Sequence, residues 1–204
     1  MLIGIVGFAG SGKDTIGNIL VSDFNFRKLS FASKLKDVVS ILFNWPRHLL
    51  EGDTEESRIF RETPDEFWSC IFQREISPRY MLQYFGTDVC QNHLYLNIWV
   101  DSLLLGISDT DDVVISDVRF LNEIEAIKKR NGIIIRVKRN DDPIWFNNLK
   151  QSNESERKRL YNQIGLHISE LDWIRKNVWQ YEIENYSNLN SLRENVRMLM
   201  SNLK

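Results

Sequence analysis

Gly7-Phe8-Ala9-Gly10-Ser11-Gly12-Lys13 is the stretch on which the fold turns. It has the form G-x-x-x-x-G-K. Before it stands a short continuous apolar run, Leu2 to Val6, of the kind that forms a strand buried on both faces of a parallel sheet. After it come Ile16, Ile19, Leu20 and Phe24 at helical spacing. Strand, glycine turn and helix are the setting this motif requires. The glycines let several backbone N–H groups turn toward one anion, and the helix N-terminus adds partial positive charge. Lys13 supplies a point charge for the β and γ phosphates of a nucleoside triphosphate. Ala9, Gly10, Ser11, Gly12, Lys13, Asp14 and Thr15 are thus the candidate ATP-binding residues. The hydroxyl residue that usually follows the lysine is displaced by one position. Asp14 stands in its place and Thr15 comes next, so Thr15 is the candidate ligand for Mg2+. Asp14 has two readings of equal weight, an acid favoured by the helix dipole or a participant at the metal.

Outward from the loop, strands and helices alternate. Phe26 to Phe31 reads as a second strand, and Ser33 caps a helix whose face is Leu35, Val38, Val39, Leu42 and Phe43. Trp45 to Ser77 is charged, aromatic and less regular. Within it, Thr63-Pro64-Asp65-Glu66 reads as a capping-box start with proline at the first helical position. Ser77-Pro78 starts another helix, leading to Met81, Leu82, Phe85 and Val89. Asp112 to Asp117 is a buried strand, followed by a helix with Phe120, Leu121, Ile124 and Ile127 inward. Gly132 to Val137 and Trp179 to Ile183 complete the strands, and Leu189, Leu192, Val196, Leu199, Met200 and Leu203 line a closing helix. This order implies a doubly wound α/β domain with a mostly parallel five-stranded sheet, one domain over residues 1–204. The helical region over about 44–105 and the charged, lid-like segment over about 139–177 are insertions in it. Ligands of such sheets bind beyond the carboxyl ends of the strands, where both the glycine loop and Asp117 fall.

Asp117-Val118-Arg119 with Glu123 forms a second polar cluster. Asp117 sits where an acid would hold magnesium, directly or through water. Arg119 can clamp a phosphate with two parallel bonds, and Glu123, four residues on, can pair with it along a helix. Arg79 occupies the first turn of a helix, a poor place for a cation unless it answers to a ligand. Lys34, Lys36, Arg58 and Arg61 are further basic candidates. Arg157-Lys158-Arg159 lies in the lid-like segment, either as solvated charge or as cations for a transferring phosphoryl group. Trp99 reads as core or as a base-stacking surface.

Composition sets limits. A net charge of −2 over 204 residues argues against a nucleic-acid-coating protein and makes any anion site local. Cys70 and Cys90 fall in no metal-ligand pattern, and His48, His93 and His167 are scattered, so neither a zinc site nor a triad is expected. No apolar run approaches the roughly 20 residues of a membrane span. A cytoplasmic protein, monomer or homodimer, with no membrane or nucleic-acid partner is the expectation.

Taken in order, Gly10-Ser11-Gly12-Lys13-Asp14-Thr15, Leu82-Gln83-Tyr84-Phe85-Gly86-Thr87-Asp88, Trp99, Asp117-Val118-Arg119 with Glu123 and Ala126, Arg136-Val137 and His167-Ile168-Ser169-Glu170 form a series over most of the chain. In this series the chain resembles the bacteriophage-type deoxynucleoside monophosphate kinases. The resemblance implies an adenylate-kinase-like fold and transfer of the γ-phosphoryl group of ATP, with Mg2+, to a deoxynucleoside monophosphate, in the host cytoplasm if the chain is phage-encoded. It also implies that Gly86, Thr87 and Trp99, with Asp117, Arg119 and Glu123, line the acceptor side, in competition with a magnesium role for Asp117. Arg79 joins them as an acceptor candidate, and Lys13 and Arg119 are the expected catalytic residues. Trp45 to Glu75 departs from the pattern, which leaves acceptor choice open. Two other readings use the same loop: a kinase of another small metabolite, such as phosphomevalonate, and a nucleotide-dependent binding module with no acceptor.

Overall fold

The structure, a computed structural model, describes residues 1–166 and 168–203. In chain order the elements are β1 (Leu2–Val6), α1 (Lys13–Phe24), β2 (Arg27–Leu29), α2 (Ser33–Phe43), α3 (Glu55–Glu62), α4 (Glu66–Phe72), α5 (Pro78–Gln83), α6 (Ile98–Leu104), β3 (Val113–Ile115), α7 (Leu121–Lys129), β4 (Ile133–Lys138), α8 (Phe146–Gln151), α9 (Glu154–Ile164), β5 (Tyr181–Glu184) and α10 (Leu189–Asn202). Short 3-10 turns occur at Arg47–Leu50 and Ile168–Glu170, and a π-helix runs over Tyr84–Leu94. The chain divides into two compact units, Met1–Ser30 with Ile107–Lys204, and Phe31–Gly106. This boundary puts α2 in the second unit, which the sequence reading began only at about residue 44.

The first unit holds the sheet. Its strand order is β2-β3-β1-β4-β5, and every pairing is parallel, where the sequence reading allowed a mostly parallel sheet. Parallel strands need crossover connections, and right-handed crossovers lay helices on both faces. Helices α1 and α10 pack together on one face. There Ile16, Ile19, Leu20, Leu192, Val196 and Met200 join Ile3, Ile5, Ile135 and Val137 in one core cluster. Helix α7 takes the other face. A Cβ on Gly4 would lie 2.7 Å from both Ile127 Cδ1 and Ile134 Cδ1, so glycine in β1 permits that close approach.

β2, β3 and β5 are shorter than the apolar runs suggested, because pairing stops where the chain turns to loops. Val113–Ile115 is hydrogen-bonded where Asp112 to Asp117 was expected, and Tyr181–Glu184 replaces Trp179 to Ile183. Leu189, expected on the inner face of α10, is 56% exposed because it opens the helix beyond the sheet edge.

The second unit is helical. Val39, Phe43, Trp45, Leu50, Ile76, Met81 and Leu82 form its core, with Phe43 stacked on Trp45. Val38 and Leu42 of α2 are exposed, since only the Val39–Phe43 face meets this cluster. Ser33 is the first residue of α2 and does not cap it. The cap of α4 is Asp65, whose carboxylate accepts from Trp68 N at 2.9 Å, so the helix starts after Thr63-Pro64. Asp65 also accepts from Trp45 Nε1, which fixes the register of that start. Ser77 caps α5 with Pro78 at its first position, as expected.

Candidate active site

The phosphate loop leaves β1 at Val6 and enters α1 at Lys13. Gly7 has φ near +150°, and a Cβ there would lie 2.6 Å from the carbonyl oxygen of Val137. Only glycine fits between β1 and β4 at that point. Gly12, at φ +104°, opens α1 with its N–H groups directed out of the helix. Two later segments brace the loop. Asn185, just past β5, donates from Nδ2 to Ser11 O at 2.8 Å, and Arg139, just past β4, donates from Nη1 to Gly10 O at 3.1 Å. Ser11 Oγ is buried and has no hydrogen-bond partner among the described residues. A pocket of about 220 Å³ borders the loop, lined on one side by Phe8–Ser11 and on the other by Arg136–Asp141 with Pro143.

Lys13 Nζ folds back over the loop and donates to Gly7 O and Phe8 O, both at 2.8 Å. Burial, then the charge of Arg119, pushes the ammonium below the ordinary lysine range. Glu170, Asp14 and Asp117 pull it partly back. These causes name the neighbourhood: both acids of the two sequence clusters, the arginine of the second, and Glu170. Asp14 turns sideways to accept from Ser116 Oγ at 2.8 Å and to pair with Lys28 Nζ at 2.8 Å. It ties α1 to the ends of β2 and β3, which adds a structural tether to its position in the first helical turn. Thr15 is half-buried in the same turn.

Asp117 and Arg119 follow β3, the sheet neighbour of β1. Asp117 Oδ2 accepts from Ser30 Oγ at 2.6 Å. Arg119 Nη1 donates to Glu170 Oε1 at 2.6 Å, and the other Glu170 oxygen accepts the loop N–H of Ala9 at 3.2 Å. Glu123 does not pair with the Arg119 guanidinium as expected. Its Oε2 instead accepts the backbone N–H groups of Arg119 and Phe120, at 2.7 and 3.0 Å. The reason is helix geometry: Glu123 is the third residue of α7, where a carboxylate meets the open N–H groups of the first turn. Burial pushes the Glu123 carboxyl up to about 8, against those two hydrogen bonds. Asp172 supplies the next cap, accepting Leu121 N at 2.8 Å.

The segment 139–177 carries α8, α9 and the turn at Ile168–Glu170. Its end is held by Trp173, which is 1% exposed, packs edge-on against Phe8 of the phosphate loop, and donates from Nε1 to Glu170 O at 3.0 Å. Arg136 of β4 lies buried over Phe146 and Trp179 and pairs with Glu182 and Asp142. Arg157 is a correction to the lid reading. It is 2% exposed and donates to Leu149 O and Tyr161 Oη, because α9 turns that side of the helix inward. It packs the segment together and is not open to a phosphoryl group. Lys158 and Arg159 are exposed. His167 lies outside the described residues.

In the second unit, Trp99 is half-buried and donates from Nε1 to Gly86 O at 3.0 Å. A Cβ on Gly86 would lie 2.6 Å from Leu35 Cδ2, so the π-helix packs tightly at that point. Thr87 is exposed on the same π-helix. Such widened helices cluster at functional sites. Arg79 is half-exposed and pairs with Glu62, an alternative to the ligand expected for it.

Sequence reasoning gave no role to Ser30, Lys28, Ser116, Arg139, Glu170, Asp172 or Asn185. Ser30, Ser116, Arg139 and Asn185 carried a usable signal, since each follows a parallel strand directly. Lys28, Glu170 and Asp172 are placed only by tertiary contacts, with Asp14, with Ala9 and Arg119, and with Leu121.

An all-parallel sheet of this order, with a glycine phosphate loop between its central strand and α1, defines a P-loop kinase. A family model described as deoxynucleotide monophosphate kinase matches residues 47–177. A protein of Acanthamoeba polyphaga mimivirus assigned as a deoxynucleotide monophosphate kinase is 34% identical over 154 residues, 68% of this chain and 74% of its own length. The deoxynucleoside-5'-monophosphate kinase of Escherichia phage T5 is 27% identical over 184 residues, covering 65% of this chain and 74% of its own. Among solved structures, a shikimate kinase from Aquifex aeolicus aligns over 100% of this chain and 98% of that one, with a TM-score of 0.44 and 16% identity. The chain belongs to the deoxynucleotide monophosphate kinase family.

Proposed function

We propose that the protein transfers the γ-phosphoryl group of ATP to a deoxynucleoside monophosphate, giving the diphosphate and ADP. The observation that carries this reading is the Glu170 bridge. One carboxylate reaches both the Ala9 N–H of the phosphate loop and the Arg119 guanidinium. A donor-phosphate loop and a bidentate cation are therefore adjacent, which is what in-line transfer between two phosphates needs. Lys13 and the loop N–H groups neutralise the donor phosphates, and Arg119 fixes the acceptor phosphate. Asp117, Gly86, Thr87 and Trp99 are proposed acceptor contacts. Arg79, held by Glu62, is a weaker candidate. Glu123 serves the acceptor indirectly, by fixing the backbone that carries Arg119.

The donor set suits Mg2+. No cluster of three His, Cys, Asp or Glu side chains is found among the described residues. Mg2+ needs no such cage, since it takes one or two protein oxygens and fills the rest with phosphate and water. Thr15 would be a protein oxygen, with Asp117 a second only in place of its acceptor role, and the ion would supply charge neutralisation at the phosphates. The pocket beside Phe8–Ser11 is the proposed seat of the donor nucleoside. No helix among the described residues is long and apolar enough to cross a membrane. The reading calls for no nucleic-acid or membrane partner, and for a monomer or homodimer in the cytoplasm, the host's if the chain is phage-encoded.

The test is ADP release from ATP across paired deoxy- and ribonucleoside monophosphates. Higher kcat/KM on the deoxy member of each pair is the expected result. ADP release independent of any acceptor would instead identify a nucleotide-dependent switch.

A further inference from the structure

Glu170 is an acid where an anion-binding site should repel one. Its two carboxylate oxygens take Ala9 N–H at 3.2 Å and Arg119 Nη1 at 2.6 Å. Its charge is also among those that act on the Lys13 ammonium. These donors are chemically what a phosphate group would bind, one backbone N–H of a glycine loop and one guanidinium. A phosphate that takes the Ala9 N–H and the Nη1 donor of Arg119 must displace the carboxylate from both. We propose that Glu170 is an internal competitor for phosphate, occupying the loop and Arg119 together until a substrate phosphate displaces it. The inference rests on the kinase reading for the roles of the loop and Arg119.

The backbone is arranged so that only the side chain must move. Trp173 Nε1 holds the Glu170 carbonyl at 3.0 Å, and Trp173 itself is locked against Phe8 and Phe146. Glu170 therefore stays within reach of the loop, and displacement is a rotamer change of one side chain that is 23% exposed. The consequence is coupled. A phosphate that removes the carboxylate from Ala9 also removes a partner of Arg119, so donor binding loosens Arg119 for the acceptor. Affinity for ATP is reduced by the strength of the contact it must break.

Calorimetric titration of the full chain with ATP and Mg2+ tests this, using Glu170→Gln and Glu170→Asp, each checked for an unchanged melting temperature. Gln keeps the shape and loses the charge. Asp keeps the charge and is too short to span both partners. Both variants are expected to bind ATP more tightly, by roughly three- to thirtyfold, the scale of one partly exposed charged contact. If only the Gln variant tightens, plain charge repulsion explains the effect and the competitor role is wrong. Weaker or unchanged binding in both variants overturns it as well, and would make Glu170 a positioning residue or a bystander. A wild-type protein that binds ATP but phosphorylates no acceptor would sink the kinase reading and leave this binding comparison readable.

Discussion

At the scale of single residues, the proposed reaction gives its donor half to Lys13 and its acceptor half to Arg119. Lys13 gives its ammonium to two loop carbonyls and lies close enough to Arg119 to feel its charge. Lys13→Met removes a preorganised charge from a site of low dielectric, and kcat should fall by at least about a hundredfold. Circular dichroism should show the fold retained, since the side chain faces the loop and not the core. Arg119→Lys keeps the charge and loses the two-pronged guanidinium. The acceptor kcat/KM should drop by roughly ten- to a thousandfold, while ATP affinity of the free protein does not fall below that of the wild type. Collapse of ATP affinity with intact acceptor kinetics would move Arg119 to the donor side.

At the scale of elements, the start of α7 decides how Arg119 is presented. Three consecutive N–H groups, of Arg119, Phe120 and Leu121, are taken by Glu123 and Asp172. Burial raises the Glu123 carboxyl to about 8 from its ordinary value near 4.5. A group whose pKa is raised in the folded state binds its proton more tightly there than in the unfolded chain. Its stabilising contribution is therefore full below pH 4.5 and is lost as pH rises through about 8. The unfolding free energy should fall over that window by a few kcal/mol. Glu123→Gln retains an oxygen for both N–H groups and cannot ionise. Urea titrations of the variant at pH 5 and pH 8 should show about 2 kcal/mol or more less pH dependence than the wild type. Equal slopes in the two proteins would assign the titration elsewhere.

At the scale of the whole molecule, the phosphate loop depends on segments far along the chain. Phe8 packs against Trp145, Phe146 and Trp173, and Trp173 in turn meets Trp179. Arg136 lies over the same rings. Trp173→Ala would empty the middle of this cluster, at a cost of about 3–5 kcal/mol for a buried large-to-small change. Chemical denaturation measures that loss. It should be accompanied by weaker ATP binding, because Phe8 of the phosphate loop loses the ring it packs against. A variant as stable as the wild type would show that the cluster is packed only loosely.

The sequence by itself determined the fold class, the phosphate loop and the chain position of the second cluster. Those rest on local signals: an apolar run read as a two-faced buried strand, glycines that alone accept the loop's backbone angles, and an acid and arginine just beyond a strand. Parallel topology carries strand ends to one edge of the sheet, so the phosphate loop and the Asp117–Arg119 cluster were expected at the same edge. Tertiary structure alone decided the partners. Glu123 turned to the backbone because a helix start leaves N–H groups unpaired, and Glu170, 51 residues from Arg119, took the guanidinium. Arg157 went inward and Lys158 and Arg159 outward because α9 turns the face that carries Arg157 and Tyr161 toward Leu149. Charged side chains can satisfy themselves with many partners of equal chemistry. Which partner wins depends on distances between segments that no local pattern encodes.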